Sequence, residues 1–109
     1  MIVNTYVGRN AGSANPAGFG NAFMGAFAGN TNTGIHNTLI GGAAGLNNNG
    51  PDNVFLGYFA GAEETGPDKL YIANSSTNTL IFGLSSGLCT STIYLKPESN
   101  KFFKNPCDI

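Results

Sequence analysis

A nine-residue stretch near the middle of the chain decides the predicted fold, and it reads Asn37-Thr38-Leu39-Ile40-Gly41-Gly42-Ala43-Ala44-Gly45. Three other stretches share its Asn, Gly, Ala and Gly columns: NTYVGRNAG at residues 4–12, NAFMGAFAG at 21–29 and NVFLGYFAG at 53–61. The four copies begin 17, 16 and 16 residues apart, and a degenerate fifth, KLYIAN, occupies residues 69–74. A period this regular indicates a repeat protein.

The period of 16 to 17 residues predicts one coil of a β-solenoid or β-roll in each repeat, because it is too short for two helices. Each coil is expected to hold a short strand at Asn-x-Φ-Φ-Gly, where Φ is apolar, and corners at Ala-Gly and at a later glycine. Glycine suits corners that need a positive φ or a close backbone approach. No window shows the apolar stripe of a helix. We therefore predict an all-β, parallel β-solenoid of about five 16-residue coils over residues 1–83.

The repeat period is lost towards the C-terminus, and residues 84–109 are predicted to form a separate capping or docking segment. Within it, the β-branched run from Thr90 to Leu95 predicts a strand that Pro97 ends. Solenoids need an atypical terminal unit that covers the last coil and its open edge. A β cap is therefore expected at this end.

The 109 residues make one domain at most, and they are poor in charge, with 5 Lys+Arg and 6 Asp+Glu. Arg9 is the only charged residue in the first 51 positions. The net charge of -1 provides no basic surface, so nucleic acid is not expected as a partner. No apolar run approaches the ~18 residues of a membrane span, so membrane insertion is not expected either.

Alternation along each strand predicts two faces, and both are apolar. The interior of the coil can cover one face, whereas the other needs a neighbour, because an exposed apolar strip promotes aggregation. The sequence thus predicts self-association through this strip; the alternative is a wide single-chain coil that buries both faces with C-terminal residues. The residues expected in the core or between subunits are Val7, Met24, Ile40, Leu56 and Ile72 on one face, and Tyr6, Phe23, Leu39 and Phe55 on the other.

The asparagine that begins each copy also forms a column, since residues one coil apart lie above one another. Its members are Asn4, Asn21, Asn37 and Asn53. Two structural interpretations are open, a ladder of amide hydrogen bonds along the stack or a turn-starting residue in each coil. Neither makes the asparagine catalytic.

The copies resemble the Asn-Thr-x-Φ-Gly-x-x-Ala-Gly repeats of trimeric β-roll heads, which occur in trimeric autotransporter adhesins, related bacterial surface proteins and phage tail fibres. The end of the array, residues 53–61 followed by Lys-Leu-Tyr-Ile-x-Asn at 69–74, is similar to the end of such arrays. The resemblance covers residues 4 to about 83. It implies a homotrimer of left-handed parallel β-rolls packed around a threefold axis, on an extracellular, cell-surface or virion fibre.

Cys89 and Cys107 are the only cysteines, and both lie in the C-terminal segment. An even count in a chain placed outside the cell permits an intrachain disulfide. Closing this loop would stabilise the fold by about 3 kcal/mol in the chain-entropy model. Free thiols and pairing between subunits are the open alternatives.

The sequence contains no arrangement typical of catalysis, so an enzyme is not expected. His36 is the only histidine and has no nucleophile motif, and Glu63-Glu64 is expected to be a solvated pair in a turn. No cofactor is expected, because the glycines do not fit a phosphate loop. No metal is expected, although Asp52 and Asp68 both follow Gly-Pro and should stack on adjacent coils. Two such carboxylates recruit a hard cation such as Ca²⁺ or stay as solvated turn residues.

The expected function is therefore a non-enzymatic structural and adhesive module, a trimeric fibre head or tail-fibre-like segment that presents a surface to a host or a glycan. The pairs of residues after each strand vary between copies and are the natural places for specificity, because geometry fixes the rest of the repeat. The candidate ligand surface comprises Arg9, Phe27, Tyr58 and Phe59. The alternative is a self-assembling subunit of an extracellular filament, in which coils of successive chains stack end to end.

Overall fold

The computed structural model describes residues 3–85, 92–95 and 101–104, and these ranges contain strands, turns and no helix. The first five strands follow the repeat copies and pair in parallel, each with the next along the chain. They are β1 (Thr5–Val7), β2 (Ala22–Met24), β3 (Thr38–Ile40), β4 (Val54–Leu56) and β5 (Lys69–Ala73). The predicted all-β parallel solenoid is confirmed.

The sheet continues without a break beyond β5, but its direction of pairing changes. Strands β6 (Thr79–Leu84), β7 (Thr92–Leu95) and β8 (Lys101–Lys104) pair antiparallel, so that eight strands lie in sequence order. The strand expected before Pro97 is thus present as β7. Cys89 and Cys107 lie outside the described residues. The solenoid has about four turns, because the fifth repeat strand leads into a hairpin and does not complete a fifth coil.

One column of side chains fills the interior of the coils, and it comes from the third position of each repeat. The register pairs Tyr6 with Phe23, Phe23 with Leu39, Leu39 with Phe55 and Phe55 with Tyr71. The middle three are buried, and their rings and methyl groups pack against the buried alanines of the repeat, Ala28, Ala44 and Ala60. Both faces of the strand are apolar in the sequence. In the structure, the face that carries the third-position side chains forms the core.

Two glycine columns allow the coil to turn and the coils to approach one another. Gly25 follows β2 with a φ of 134°, and a Cβ there would lie 2.5 Å from the carbonyl oxygen of Gly41 in the next coil. Gly29 has a φ of 56°, and its Cβ would lie 2.5 Å from the ring of Phe23. A side chain at either position would therefore meet backbone strain and a clash together, as the repeat pattern predicts.

The predicted asparagine column bridges adjacent coils, but each carboxamide pairs with backbone groups. Asn21 Oδ1 accepts the backbone N–H of Asn37 at 2.8 Å, and Asn21 Nδ2 donates to the carbonyl oxygen of Gly34 at 3.0 Å. The same two bonds recur at Asn4, Asn37 and Asn53. The column therefore links the start of each strand to the next coil and to the later glycine corner of its own coil, which differs from a ladder of amide-to-amide bonds.

A second asparagine column was not among the sequence expectations. Asn15, Asn32 and Asn48 are buried, and Nδ2 of each of the first two donates to Oδ1 of the next, at 3.2 and 2.9 Å. These bonds are the side-chain ladder of the fold. The sequence does contain the pattern that predicts this column, because the three asparagines recur at intervals of 17 and 16 residues.

Candidate functional site

The outward face of the strands carries a continuous apolar strip. The parallel register stacks Val7, Met24, Ile40, Leu56 and Ile72 in one column, which we call the outer strip. Val7 is 51% exposed, Met24 52% and Ile40 41%, while Leu56 and Ile72 are half-buried. Among the described residues, none covers these three exposed side chains. The alternative coil that buries both faces with C-terminal residues depends on segments that lie outside the described residues.

The column beside the outer strip is also free of charge. It consists of Thr5, Ala22, Thr38 and Val54, and Val54 is exposed. Successive strands lie about 4.8 Å apart, so the two columns together form a flat, uncharged face several strands tall. A face of this kind is typical of a sheet that packs against another surface.

The corner after the strands forms a second apolar surface, an aromatic groove of about 320 Å³. Phe27 in the second coil and Phe59 in the fourth line it, whereas the third coil contributes only Gly42 and Ala43 at the same level. Because coils lie about 4.8 Å apart, the groove is about two coil spacings wide. Its remaining lining residues are Ala26, Leu46 and Tyr58.

The aromatic side chains of the groove are attached to unfavourable backbone positions. Phe27 and Phe59 have φ values of 62° and 57°, in the left-handed region, and Asn10 occupies the same column in the first coil at 57°. Asparagine tolerates this conformation, whereas a bulky residue pays about 1–2 kcal/mol for it. Ala43 has the same conformation in the third coil, with a φ of 55°, so the left-handed backbone belongs to the repeated corner. That corner does not itself favour phenylalanine.

Three of the four residues predicted for a ligand surface meet in this groove. Tyr58 is 60% exposed and packs edge-to-face on Phe59, with ring centroids 4.6 Å apart. Arg9 lies at its border, since its guanidinium stands over the ring of Phe27 at 5.7 Å. The predicted set is thus one surface, with apolar rings in the middle and one cation at the end.

The second corner stacks polar residues whose backbones are also left-handed. His36, Asp52 and Asp68 have φ values of 57°, 60° and 58°, and they lie in consecutive coils. His36 Nδ1 and Asp52 Oδ1 are 3.1 Å apart on an exposed surface. Asp52 therefore contacts the histidine of the coil before it. Among the described residues, no group of three or more His, Cys, Asp or Glu side chains is placed to hold a metal ion.

Glu64 differs from the expected solvated pair, because only Glu63 is exposed. Glu64 follows the column of Asn15, Asn32 and Asn48 by 16 residues, and its backbone oxygen accepts Asn48 Nδ2 at 2.9 Å. Its carboxylate accepts hydrogen bonds from Lys69 Nζ and, at 2.7 Å, from the Tyr71 hydroxyl. The sequence did not reveal this cluster, because its members come from different coils.

The charges of the Glu64 cluster are set by these contacts. Burial raises the pKa of Glu64, but the hydrogen bonds from Lys69 and Tyr71, the Lys69 charge and the Gly66 N–H outweigh it and hold that pKa below the usual glutamate value. Burial, together with the neighbouring Glu64 carboxylate, raises the pKa of Tyr71. Glu64 is therefore an ionised acceptor that ties the last solenoid corner to β5.

Comparison of the chain with protein-family models, with curated proteins and with solved structures finds no match. The described residues also include no helix long and apolar enough to cross a membrane. The β-solenoid therefore presents two apolar surfaces that can support a function, the outer strip and the aromatic groove.

Proposed function

We propose that this chain is a non-enzymatic structural and adhesive module, which works as a homotrimeric fibre head or tail-fibre-like segment outside the cell. The observation that carries the proposal is the outer strip, whose side chains at Val7, Met24 and Ile40 are about half exposed on an uncharged sheet face. The number of subunits comes from the resemblance of the repeats to trimeric β-roll heads.

Hydrophobic burial favours this association. Fully burying a Val, Ile or Met side chain contributes about 1.5–3 kcal/mol, so covering the exposed half of each member of the outer strip contributes about 1 kcal/mol. Every subunit presents the strip along several coils, and the contribution repeats at each interface of a closed ring. A charge on the strip would have to be desolvated and would oppose the same contact.

Ile40→Glu tests self-association, because Ile40 lies in the middle of the outer strip and points outward. The variant is expected to keep its β-sheet circular dichroism and to elute as a monomer in size-exclusion chromatography. Ala17→Glu adds the same charge at an exposed turn residue and should elute like the unmodified chain. Ile40→Thr, which suits a strand, provides a milder variant if the glutamate unfolds β3. An unchanged elution volume for folded Ile40→Glu and Ile40→Thr would contradict the proposed interface.

The attachment part of the proposal concerns the aromatic groove. Aromatic faces stack on the C–H faces of sugar rings, and Tyr58 is the most exposed ring of the groove. We expect the chain to bind members of a panel of immobilised saccharides, and Tyr58→Ala to weaken that binding at least tenfold. Phe19→Ala removes an exposed aromatic outside the groove and serves as the matched control. Binding by neither protein, or equal binding by Tyr58→Ala, would remove saccharide attachment from the proposal while leaving the trimer in place.

The second candidate is a filament subunit, and the open edge of β1 favours it. β1 is the first strand of the sheet and pairs only with β2 among the described strands. End-to-end stacking would give particles whose mass grows with concentration, whereas a trimer has a fixed mass.

A further inference from the structure

The first coil contains a buried hydrogen-bond acceptor that the structure leaves without a partner. Asn15 is 5% exposed, and its Oδ1 has no hydrogen bond. At the equivalent positions, Asn32 Oδ1 accepts Asn15 Nδ2 at 3.2 Å and Asn48 Oδ1 accepts Asn32 Nδ2 at 2.9 Å. The donor in each case belongs to the preceding coil. Donors close in sequence contribute there as well, since the Gly34 N–H donates to Asn32 Oδ1 at 2.8 Å and Asn53 Nδ2 donates to Asn48 Oδ1 at 3.3 Å. Asn15 Oδ1 has neither kind of donor, and a coil placed before the first would supply the one that comes from a preceding coil.

Two backbone N–H groups of the first coil also lack the hydrogen-bond partner that a preceding coil would supply. The N–H of Gly25 donates to the carbonyl oxygen of Val7 at 2.8 Å, and the N–H of Phe27 donates to that of Arg9 at 2.8 Å. Both donors bond to the coil before their own. By the same register, the N–H groups of Gly8 and Asn10 face the position of a coil before the first, and neither has a partner among the described residues.

The two outer edges of the eight-stranded sheet differ in their protection against pairing. The outer strand at the other edge is β8, whose sequence KFFK is typical of edge strands that do not add a partner. β1 contains only Thr5, Tyr6 and Val7 and carries no charge. The edge with the unpaired groups is therefore also the edge that lacks a charged side chain.

We propose that the first coil is an acceptor for one further coil of the Asn-x-Φ-Φ-Gly pattern, supplied by an extended polypeptide segment that is not already folded into a solenoid. The segment pairs in parallel with β1. Its first asparagine accepts the N–H of Asn4, and the asparagine eleven residues later donates to Asn15 Oδ1. This contact continues the coil-to-coil interface that the fold already repeats, and it is a form of binding by strand addition.

A second folded copy of this chain does not fit the same end. If the first coils of two copies met edge to edge, the Asn15 Oδ1 atoms of the two copies would face each other. Both atoms are hydrogen-bond acceptors, so neither would gain a donor. The opposite described edge, β8, has the sequence KFFK and contains no asparagine. A filament contact through this edge would leave Asn15 Oδ1 unpaired, so the inferred coil, which goes beyond the proposed trimer, and the filament candidate are rival occupants of the β1 edge.

The test uses the full chain and a blocked synthetic peptide with the sequence of residues 21–36, NAFMGAFAGNTNTGIH. Hydrogen exchange measured by NMR with excess peptide should slow at least tenfold at the N–H groups of Gly8 and Asn10. The N–H of Gly41 already donates to the carbonyl oxygen of Met24 at 2.7 Å and should not change. A peptide with Asn32→Ala lacks the donor for Asn15 and should bind about fivefold more weakly, which corresponds to one net hydrogen bond.

Three results would overturn the proposal. The first is exchange at Gly8 and Asn10 that the peptide does not alter. The second is equal protection by the peptide and its Asn32→Ala form, since the buried acceptor would then play no part. The third is slow exchange at both positions in the chain alone together with concentration-dependent polymers, because a second copy would then occupy the edge. A monomeric chain that still binds the peptide would contradict the trimer and leave this inference intact.

Discussion

At the scale of single residues, buried carboxamides hold the corners of adjacent coils together. Asn32 is fully buried, donates to Asn48 Oδ1, and accepts hydrogen bonds from Asn15 Nδ2 and from the N–H of Gly34 at 2.8 Å. A coil of 16 residues has little apolar interior, so polar groups must enter the core to close it. They stabilise the fold only because nearly all of their bonds are made.

Asn32→Ala is expected to lower the free energy of unfolding by about 3 kcal/mol, because it leaves the Gly34 N–H and other buried groups unpaired. Urea denaturation followed by circular dichroism measures the change. Thr33→Ala is the matched control, since Thr33 is exposed and its hydroxyl contacts only the Asn49 carboxamide, at 3.3 Å. The control should lose less than about 1 kcal/mol. Similar losses for the two variants would show that the buried column is not a main source of stability.

At the scale of the element, the change from parallel to antiparallel pairing occurs where Glu64 is bonded. The carboxylate accepts hydrogen bonds from Lys69 at the start of β5 and from Tyr71 in its middle. Tyr71 in turn packs on Phe55 of the coil above and on Phe82 of β6, with centroids 5.2 and 4.9 Å apart. The acidic side chain thus connects the last solenoid corner to the strand that ends the core column.

The lowered pKa of Glu64 makes the stability of this junction sensitive to acid. Because the pKa is lower in the folded than in the unfolded chain, the ionised carboxylate contributes its full stability above the unfolded value of about 4.3. That contribution is lost as the pH falls through the folded pKa. The free energy of unfolding should therefore decrease from about pH 5 downwards, and Glu64→Gln should reduce this dependence.

Glu63→Gln is the control for the acid transition, because Glu63 is exposed and its Oε1 accepts only Asn47 Nδ2. Urea denaturation at a series of pH values gives the comparison. Glu63→Gln should retain the acid dependence of the unmodified chain. A Glu64→Gln variant with the same dependence as Glu63→Gln would mean that other carboxylates control acid stability.

The local sequence predicts where the strands of this fold lie better than it predicts whether neighbouring strands pair parallel or antiparallel. The repeat fixes the position of every parallel strand, and β1 to β5 begin within one residue of the repeat asparagine or its equivalent. Residues 69–73 continue the same apolar pattern, so nothing in them distinguishes a fifth coil from a hairpin strand. The reversal depends on the chain that follows Ala73, which forms a turn and returns as β6 beside β5.

At the scale of the whole molecule, the solenoid has a thin core and an apolar face that the described residues leave exposed. The largest buried apolar side chains are Phe23, Leu39 and Phe55, and alanines provide the rest of the core cluster. A small domain of this kind gains little from its own interior. Covering the outer strip in an oligomer adds a second apolar layer, and this is the physical reason for placing the subunit contact there.

The sequence could not decide which strand face is the core. The third and fourth repeat positions are both apolar, so Phe23 and Met24 are equally good core residues on hydrophobicity alone. The corners determine which strand face becomes the core, because the backbone at Gly29 lies directly against the Phe23 ring. The aromatic groove also required the structure, because it exists only where Gly42 and Ala43 stack between larger neighbours.

Sedimentation equilibrium of the full chain over a range of concentrations tests the central claim most directly. A homotrimer built on the outer strip predicts one species of three times 11.3 kDa, constant across the range. A species of 11.3 kDa at all concentrations, or a mass that rises continuously with concentration, would contradict it.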